Sequence, residues 1–262
     1  MNLITVCVVV CAVISTSLSD AIKVSVGQVD SVTGTSPSNT LQLNLNILLN
    51  LANDAVSSGA ALITFPEFAL QGDFAFMKCV SPVNTSGYSE VLVSVGSPLN
   101  CSSPSAASQL GCSAAAQSLY ISYNTVESDG NGAYYNTQVV VHNAMMVARY
   151  RKYNVFYKDC FTTPQLELVT FSVQNTTFGI FTCFDILFEH PKMDLVHAGV
   201  KYFSYSSAIP LVGAEVIKLF SASNHVNMVS SNQASKQSEI VADGTAVARA
   251  SSSGNLIIVA DI

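Results

Sequence analysis

The chain has 262 residues, of which 49% are hydrophobic and only 11% are charged, and its formal net charge is −6. This apolar and weakly charged composition excludes an intrinsically disordered chain and predicts a large buried core. The negative net charge and the lack of a Lys/Arg cluster exclude the basic surface that nucleic-acid binding needs. Composition by itself indicates no substrate.

The amino-terminal residues 1–19 are predicted to form a signal peptide. An apolar segment, residues 3–14, precedes a small polar stretch in which Ser17 and Ser19 suit cleavage before Asp20. This segment is shorter than the about 20 apolar residues that a membrane-spanning helix needs. An uncleaved anchor is the alternative, because no basic residue precedes the segment. We therefore predict a secreted protein whose mature domain is residues 20–262.

Glycosylation sequons agree with secretion, although such triplets also occur by chance. They begin at Asn84, Asn100 and Asn175.

The cysteines carry more information than the sequons. Outside the predicted leader five cysteines remain, an odd number, which in an oxidising compartment suggests disulfides and one free thiol. Cys101 and Cys112 close a short loop and are the natural pair. Cys79 with Cys160 is a second pairing with less support. Cys183 then remains as the free thiol.

Strands and helices alternate along the chain. In chain order the patterns predict a strand at 22–29, a helix from Asn39 to 57–59, a strand at 60–65, a surface excursion at 71–104, a helix at 105–118, a strand at 119–124, hairpins at 135–150 and 168–182, a helix at 188–198, a strand at 200–205, a helix at 212–222, a strand at 226–230 and a closing hairpin at 242–261. The strand–helix–strand order at the start implies parallel pairing. Since no repeat or linker interrupts the chain, we predict one mixed α/β domain.

Three stretches each set a reactive side chain beside an apolar strand. Glu67 follows the strand at 60–65 and is a candidate proton acceptor, with a solvated strand-end carboxylate as the alternative. Lys152 follows the strand of the first hairpin and is a candidate cation for a developing oxyanion, with a solvated basic turn as the alternative.

Cys183 is the candidate nucleophile. It lies where a buried strand is predicted to turn into a helix, and the helix dipole there would lower the pKa of its thiol. The backbone N–H of Phe184 would point into the same space and could bind an oxyanion. A buried structural cysteine is the alternative. No metal site and no cofactor are predicted, because the histidines do not fall at ligand spacings and no glycine-rich phosphate loop is present.

Together these stretches resemble the nitrilase superfamily of carbon–nitrogen hydrolases, whose members share a Glu–Lys–Cys triad. The resemblance to the vanin and biotinidase branch is closer. It rests on VARYRKYNVF at residues 147–156 and on NTTFGIFTCFDILF at residues 175–188. The resemblance implies an α/β fold, a four-layer α-β-β-α sandwich.

The resemblance also implies hydrolysis of a carbon–nitrogen bond through a Cys183 thioester. Glu67 would accept the thiol proton, and Lys152 and the Phe184 amide would hold the oxyanion. The family often carries a second glutamate after the lysine, and Asp159 is the nearest match, one methylene shorter. Ala208 stands where vanins carry a tryptophan, which implies a wider pocket.

The function predicted from this resemblance is a secreted amidase acting on a small vitamin-derived amide such as pantetheine or a biotin amide. A general secreted aliphatic amidase of the same fold is one alternative, and an inactive secreted binding glycoprotein is another. The expected partner is the small-molecule amide. We expect no lipid-anchor tail in this chain, and homo-oligomerisation is left open.

Overall fold

The computed structural model describes residues 21–72, 85–209, 213–233 and 237–262. The predicted leader, Cys79 and Asn84 lie outside these ranges. The strands are β1 (Lys23–Gln28), β2 (Leu62–Thr64), β3 (Ser89–Glu90), β4 (Tyr120–Ser128), β5 (Tyr134–His142), β6 (Met145–Arg151), β7 (Thr170–Val173), β8 (Thr176–Thr182), β9 (Tyr202–Ser207), β10 (Asn227–Asn232), β11 (Glu239–Ala242), β12 (Thr245–Arg249) and β13 (Leu256–Asp261). The helices are α1 (Pro37–Ser57), α2 (Ala106–Gly111), α3 (Lys192–His197) and α4 (Gly213–Asn224), with short 3₁₀ turns at Ala115–Gln117 and Cys183–Leu187.

The strands form two mixed sheets. The first has the order β13-β1-β2-β4-β5-β6, with β3 against β4, and the second has the order β12-β11-β10-β9-β8-β7. Parallel pairs occupy the middle of each sheet, β1 with β2 and β2 with β4 in the first, β8 with β9 and β9 with β10 in the second. Because α1 connects β1 to β2, the predicted strand–helix–strand unit is confirmed.

Two large apolar cores hold the layers together. One lies between the sheets, where Val24 and Val26 of β1 face Phe178 and Ile180 of β8, and it continues to the other face of the second sheet, where Phe181 and Phe203 pack on Phe220 of α4. The other lies between α1, α2 and the outer face of the first sheet. Helix α4 covers β10 and β11 of the second sheet. This is the layered α/β sandwich that the sequence predicts, and it brings the ends of β2, β6 and β8 towards one region.

The first helix begins two residues before the predicted Asn39. Its N-cap is Ser36, whose hydroxyl accepts a hydrogen bond from the backbone N–H of Asn39, and Pro37 is the first helical residue. Proline suits this position because its missing N–H would have no partner inside the helix. The predicted end is confirmed at Ser57, with Gly59 following at φ 76°.

Two predicted helices are shorter than expected. The helix predicted at 105–118 ends at Gly111, where the next residue, Cys112, is tied by its disulfide to Cys101. The helix predicted at 188–198 begins only at Lys192, after the N-cap residue Pro191. A proline disfavours helical backbone in the residue that precedes it.

The predicted closing hairpin is wrong in its pairing. Strand β12 turns back onto β11 through Asp243 and Gly244, both at positive φ, and β13 crosses to the other sheet and pairs antiparallel with β1. An Asp-Gly pair is a strong signal for a tight hairpin turn, because its twist matches that of the strands. The dipeptide therefore marks the true turn, which lies near the start of the segment predicted as the first arm of the hairpin.

The excursion predicted at 71–104 is attached to the first sheet in its described part. Strand β3 pairs in parallel with β4, and the backbone N–H of Leu99 donates to the carbonyl of Ala144 beside β6. This segment therefore covers part of a sheet edge that would otherwise be open.

The disulfide predicted between Cys101 and Cys112 is present. Cys160 is also disulfide-bonded, and its predicted partner Cys79 lies outside the described ranges. Among the cysteines that the structure describes, Cys183 is free and buried, as predicted. Within the same ranges, none of the helices combines the length and the apolar character that crossing a bilayer requires.

Candidate active site

Three chain segments place Glu67, Lys152 and Cys183 together. Glu67 follows β2, Lys152 directly follows β6, and Cys183 opens the 3₁₀ turn after β8. Lys152 Nζ donates to Glu67 Oε1 at 2.7 Å, although the two residues are 85 positions apart. Glu67 is 1% exposed, Lys152 3% and Cys183 8%. The structure therefore gathers the predicted acid–base, cationic and thiol groups in one nearly solvent-free site.

A relay of two asparagines fixes the Glu67 carboxylate. Asn136 Nδ2 donates to Glu67 Oε1 at 2.8 Å, and Asn124 Nδ2 donates to Asn136 Oδ1 at 2.7 Å. The side-chain Oδ1 of Asn124 in turn accepts a hydrogen bond from the backbone N–H of Phe68 at 3.0 Å. Sequence reasoning missed both asparagines, since an asparagine inside a strand carries no local signal of a partner elsewhere in the chain.

Cys183 occupies an unusual backbone conformation. Its φ is 49°, in the left-handed region that a non-glycine residue adopts at a cost in free energy. The hydroxyl of Tyr205 donates to the carbonyl of Cys183 at 2.8 Å and holds this turn. The tight turn presents the thiol to Glu67, to Lys152 and to the backbone N–H of Ala208, all of which act on its pKa.

The expectation that a helix dipole lowers the pKa of Cys183 is wrong. Burial raises the pKa of this thiol and the Glu67 carboxylate raises it further, while Lys152 and the Ala208 N–H oppose them only partly. The turn that begins at Cys183 is a 3₁₀ segment of five residues, too short to supply a large dipole. The resting thiol is therefore neutral near neutral pH.

Lys152 remains charged despite its burial. Burial by itself lowers the pKa of its ammonium group, but the Cys183 sulfur in its ionised form and the carboxylates of Glu67 and Asp185 outweigh this effect and raise that pKa. A permanently charged ammonium beside a neutral thiol suits a reaction in which negative charge develops during the chemical step.

Comparison with known proteins identifies the family of this chain. The sequence model of the carbon–nitrogen hydrolases matches residues 23–262. The chain belongs to the carbon–nitrogen hydrolase family. This confirms the family that the three sequence stretches predict.

Relatives of this carbon–nitrogen hydrolase include biotinidases and pantetheinases. The biotinidase of Takifugu rubripes is 31% identical over 221 residues, which cover 73% of this chain and 43% of that protein. A human pantetheine hydrolase is 31% identical over 204 residues, covering 67% of this chain and 38% of that protein. The chain thus spans less than half the length of these relatives.

Solved structures support the fold. An amidase of the nitrilase superfamily from Nesterenkonia superposes with a TM-score of 0.73 at 15% identity, covering 93% of this chain and 91% of that one. Saccharomyces cerevisiae Nit3 superposes with a TM-score of 0.71 at 22% identity, covering 92% and 90%. At these identities the likeness extends to the fold alone.

Asp159, predicted to support Lys152, is exposed in a turn. The Lys152 ammonium donates a hydrogen bond to Glu67 instead. The carboxylate that acts on Lys152 besides Glu67 is Asp185, which is fully buried. Asp185 lies two residues after Cys183 in the run at 175–188. Its position beside the nucleophile could have marked it as a candidate site residue.

Phe184, which follows the nucleophile in the chain, belongs to an aromatic surface. Its ring packs edge-to-face against Phe156 and Phe188, at centroid distances of 5.2 and 5.0 Å. A cavity of about 270 Å³ lies against Phe184 and Phe188. Phe156 is 59% exposed and Phe188 40%, so apolar surface is available close to the nucleophile.

The two described sequon asparagines, Asn100 and Asn175, are both exposed, the second in the turn between β7 and β8. Their glycosylation stays a prediction.

We expect alkylation of Cys183 by iodoacetamide to accelerate from about pH 7 to about pH 10 without a plateau. Because the pKa of the thiol is raised, its thiolate fraction grows about tenfold per pH unit over this range. Mass spectrometry of the peptide that carries residue 183 measures the rate, and the Cys183→Ala variant reports background labelling. Free cysteine, with a pKa of about 8.5, is the reference thiol. A plateau below about pH 8 would contradict the raised pKa.

Proposed function

We propose that this chain hydrolyses small amides through a covalent thioester on Cys183. The observation that carries the proposal is the buried Lys152–Glu67 pair, which faces a free thiol at the start of a tight turn. Nucleophile, base and cation are the groups that covalent acyl transfer requires. The family and its biotinidase and pantetheinase members support the same reaction class.

In the first half-reaction Sγ of Cys183 attacks the amide carbonyl carbon while Glu67 takes the thiol proton. The carbonyl oxygen becomes an oxyanion, and the Lys152 ammonium stabilises it together with the Phe184 N–H. This N–H lies in the first turn of a helical segment, where backbone donors have no partner inside the segment. As the intermediate collapses, the carbon–nitrogen bond breaks and Glu67 returns the proton to the leaving amine.

In the second half-reaction a water molecule attacks the thioester carbon and gives a proton to Glu67. Collapse of this intermediate breaks the carbon–sulfur bond and releases the carboxylic acid, and the Cys183 sulfur takes the proton back from Glu67. Every group then has its starting protonation state. The neutral resting thiol fits this scheme, because proton transfer to the nearby carboxylate accompanies the attack.

For the substrate we propose an amide of a vitamin-derived small molecule, as in pantetheine or a biotin amide. The names of the relatives support this class. A methyl group rather than a large ring at Ala208, whose N–H acts on the Cys183 thiol, supports a wide acyl pocket. A general aliphatic amidase is the second candidate, favoured by the fold shared with an amidase from Nesterenkonia, a mutant of which is solved in complex with butyramide.

We further propose that the chain acts in an oxidising secretory compartment. The Cys101–Cys112 disulfide and the exposed sequons at Asn100 and Asn175 support this location. Cleavage of residues 1–19 remains part of this proposal.

Intact-protein mass spectrometry tests the function directly. The protein is mixed with pantetheine, biotinyl amides or butyramide and quenched in acid, and kcat/KM is measured for each amide. We expect an acyl adduct on the peptide with residue 183 and a higher kcat/KM for one of the two vitamin amides. The highest value for butyramide would favour the aliphatic amidase. No adduct and no turnover with any amide would favour an inactive binding protein.

A further inference from the structure

Asp185 is a buried carboxylate that the proposed chemistry does not use. It is 0% exposed and lies two residues after the nucleophile. Burial raises the pKa of its carboxyl group, while Lys152 and the hydrogen bonds to it act in the opposite direction. A buried carboxylate is costly unless it is well bonded, so its contacts point to a role in this part of the fold.

Four donors converge on this carboxylate. Oδ2 accepts the hydroxyl of Tyr150 at 2.8 Å and the backbone N–H of Thr182 at 3.0 Å. Oδ1 accepts the backbone N–H and the side-chain amide of Asn154 at 2.8 and 2.9 Å. Since every partner donates, the site suits a carboxylate, which can accept on both oxygens.

These donors flank both of the other groups in the site. Tyr150 and Asn154 lie two residues before and two residues after Lys152, and Thr182 directly precedes Cys183. One carboxylate therefore ties the segment that carries the ammonium to the turn that carries the thiol. The strained φ of Cys183 needs such external support, because a left-handed turn persists only where its surroundings fix it.

We propose that Asp185 is a positioning residue that fixes the Cys183 thiol relative to the Lys152 ammonium. It touches neither substrate nor reacting atoms. The inference rests on the proposed acyl transfer and deepens it, since it names the residue that sets the geometry of nucleophile and cation. An asparagine cannot replace it, because each carboxylate oxygen accepts a backbone N–H, from Thr182 or from Asn154. The NH₂ group of an asparagine cannot accept, so one of these two N–H groups would be left without a hydrogen bond.

The test uses acylation by a p-nitrophenyl ester, which needs the nucleophile and its oxyanion donors but not selectivity for an amide. For Asp185→Asn we expect the acylation rate constant at saturating ester to fall about 100-fold, the effect of a misplacement of about 1 Å, while the apparent ester affinity changes little. A purely structural role would lower stability without separating these two constants.

The chain offers a matched control in Glu90. This half-buried carboxylate also accepts a tyrosine hydroxyl, from Tyr123 at 3.1 Å, and a backbone N–H, from Ala107 at 3.1 Å, and burial likewise raises its pKa. It lies on β3, and its hydrogen-bond partners among the described residues do not include Glu67, Lys152 or Cys183. Glu90→Gln should therefore lower the melting temperature without lowering the acylation rate constant.

A second pair of variants keeps the inference testable if Asp185→Asn does not fold. Tyr150→Phe removes one donor to Asp185 and almost no volume, and Tyr123→Phe removes the equivalent donor to Glu90. We expect acylation to slow about tenfold in Tyr150→Phe, because Asp185 loses one of the four hydrogen bonds that hold it. Acylation should be unchanged in Tyr123→Phe.

Equal acylation rates in Asp185→Asn and Glu90→Gln, or in the two Tyr→Phe variants, would overturn the inference. A wild-type protein that is acylated by the ester but cleaves no amide would refute the amidase proposal, and the rate comparison would still decide the role of Asp185. A wild-type protein that is never acylated would refute both.

Discussion

The Cys183→Ala variant is expected to lose amide hydrolysis by about 10⁴-fold or more while it keeps its fold. Removal of a nucleophile eliminates the covalent route altogether, so the remaining groups cannot compensate. The side chain is small, buried and in contact with the charged pair, so its loss should change the free energy of unfolding by about 1 kcal/mol or less. Steady-state kinetics and thermal unfolding followed by circular dichroism measure the two quantities.

The double variant Cys101→Ala/Cys112→Ala is the control for Cys183→Ala. It removes a disulfide that closes a loop of sequence separation 11, which should cost about 3 kcal/mol of stability in the chain-entropy model. Because this loop lies away from the site, kcat should stay near the wild-type value below the melting temperature. Undiminished kcat in Cys183→Ala would refute the covalent mechanism.

The Lys152→Met variant is expected to lose both activity and stability. Methionine fills a similar volume but leaves the Glu67 carboxylate buried at 1% exposure without its cation, which should cost about 3–5 kcal/mol. Because the oxyanion also loses its ammonium partner, kcat should fall about 10³-fold. Urea unfolding and steady-state kinetics with the best amide measure the two effects.

A second substitution separates these two roles of Lys152. Adding Glu67→Gln removes the unpaired charge, so the double variant should regain part of the lost stability but none of the activity. Lys158→Met is the matched control, since Lys158 is an exposed lysine on the same loop and its loss should change little. If Lys152→Met were as stable and as active as Lys158→Met, the buried ion pair would have neither role.

Much of the site was predictable because its members lie in short local patterns. Glu67 and Cys183 each follow an apolar strand, and Lys152 follows the second strand of a hairpin, as the structure confirms. Asn136 was not predicted, because a hydrogen bond to a residue far along the chain leaves no local pattern. Asp185 was overlooked, although it lies two residues after Cys183 in the run at 175–188. Asp159 was predicted as the nearest match to the second glutamate of the family, and it is exposed in a turn.

The sequence by itself determined the local elements and the identity of the reactive groups. Helix α1 and the β5–β6 hairpin follow from hydrophobic periodicity and turn residues, which act over a few positions. The tertiary structure alone decided that β13 pairs with β1 and that the pKa of Cys183 is raised. Both depend on which distant segments pack together, since burial and the nearness of the Glu67 charge arise only when the two sheets close over the site.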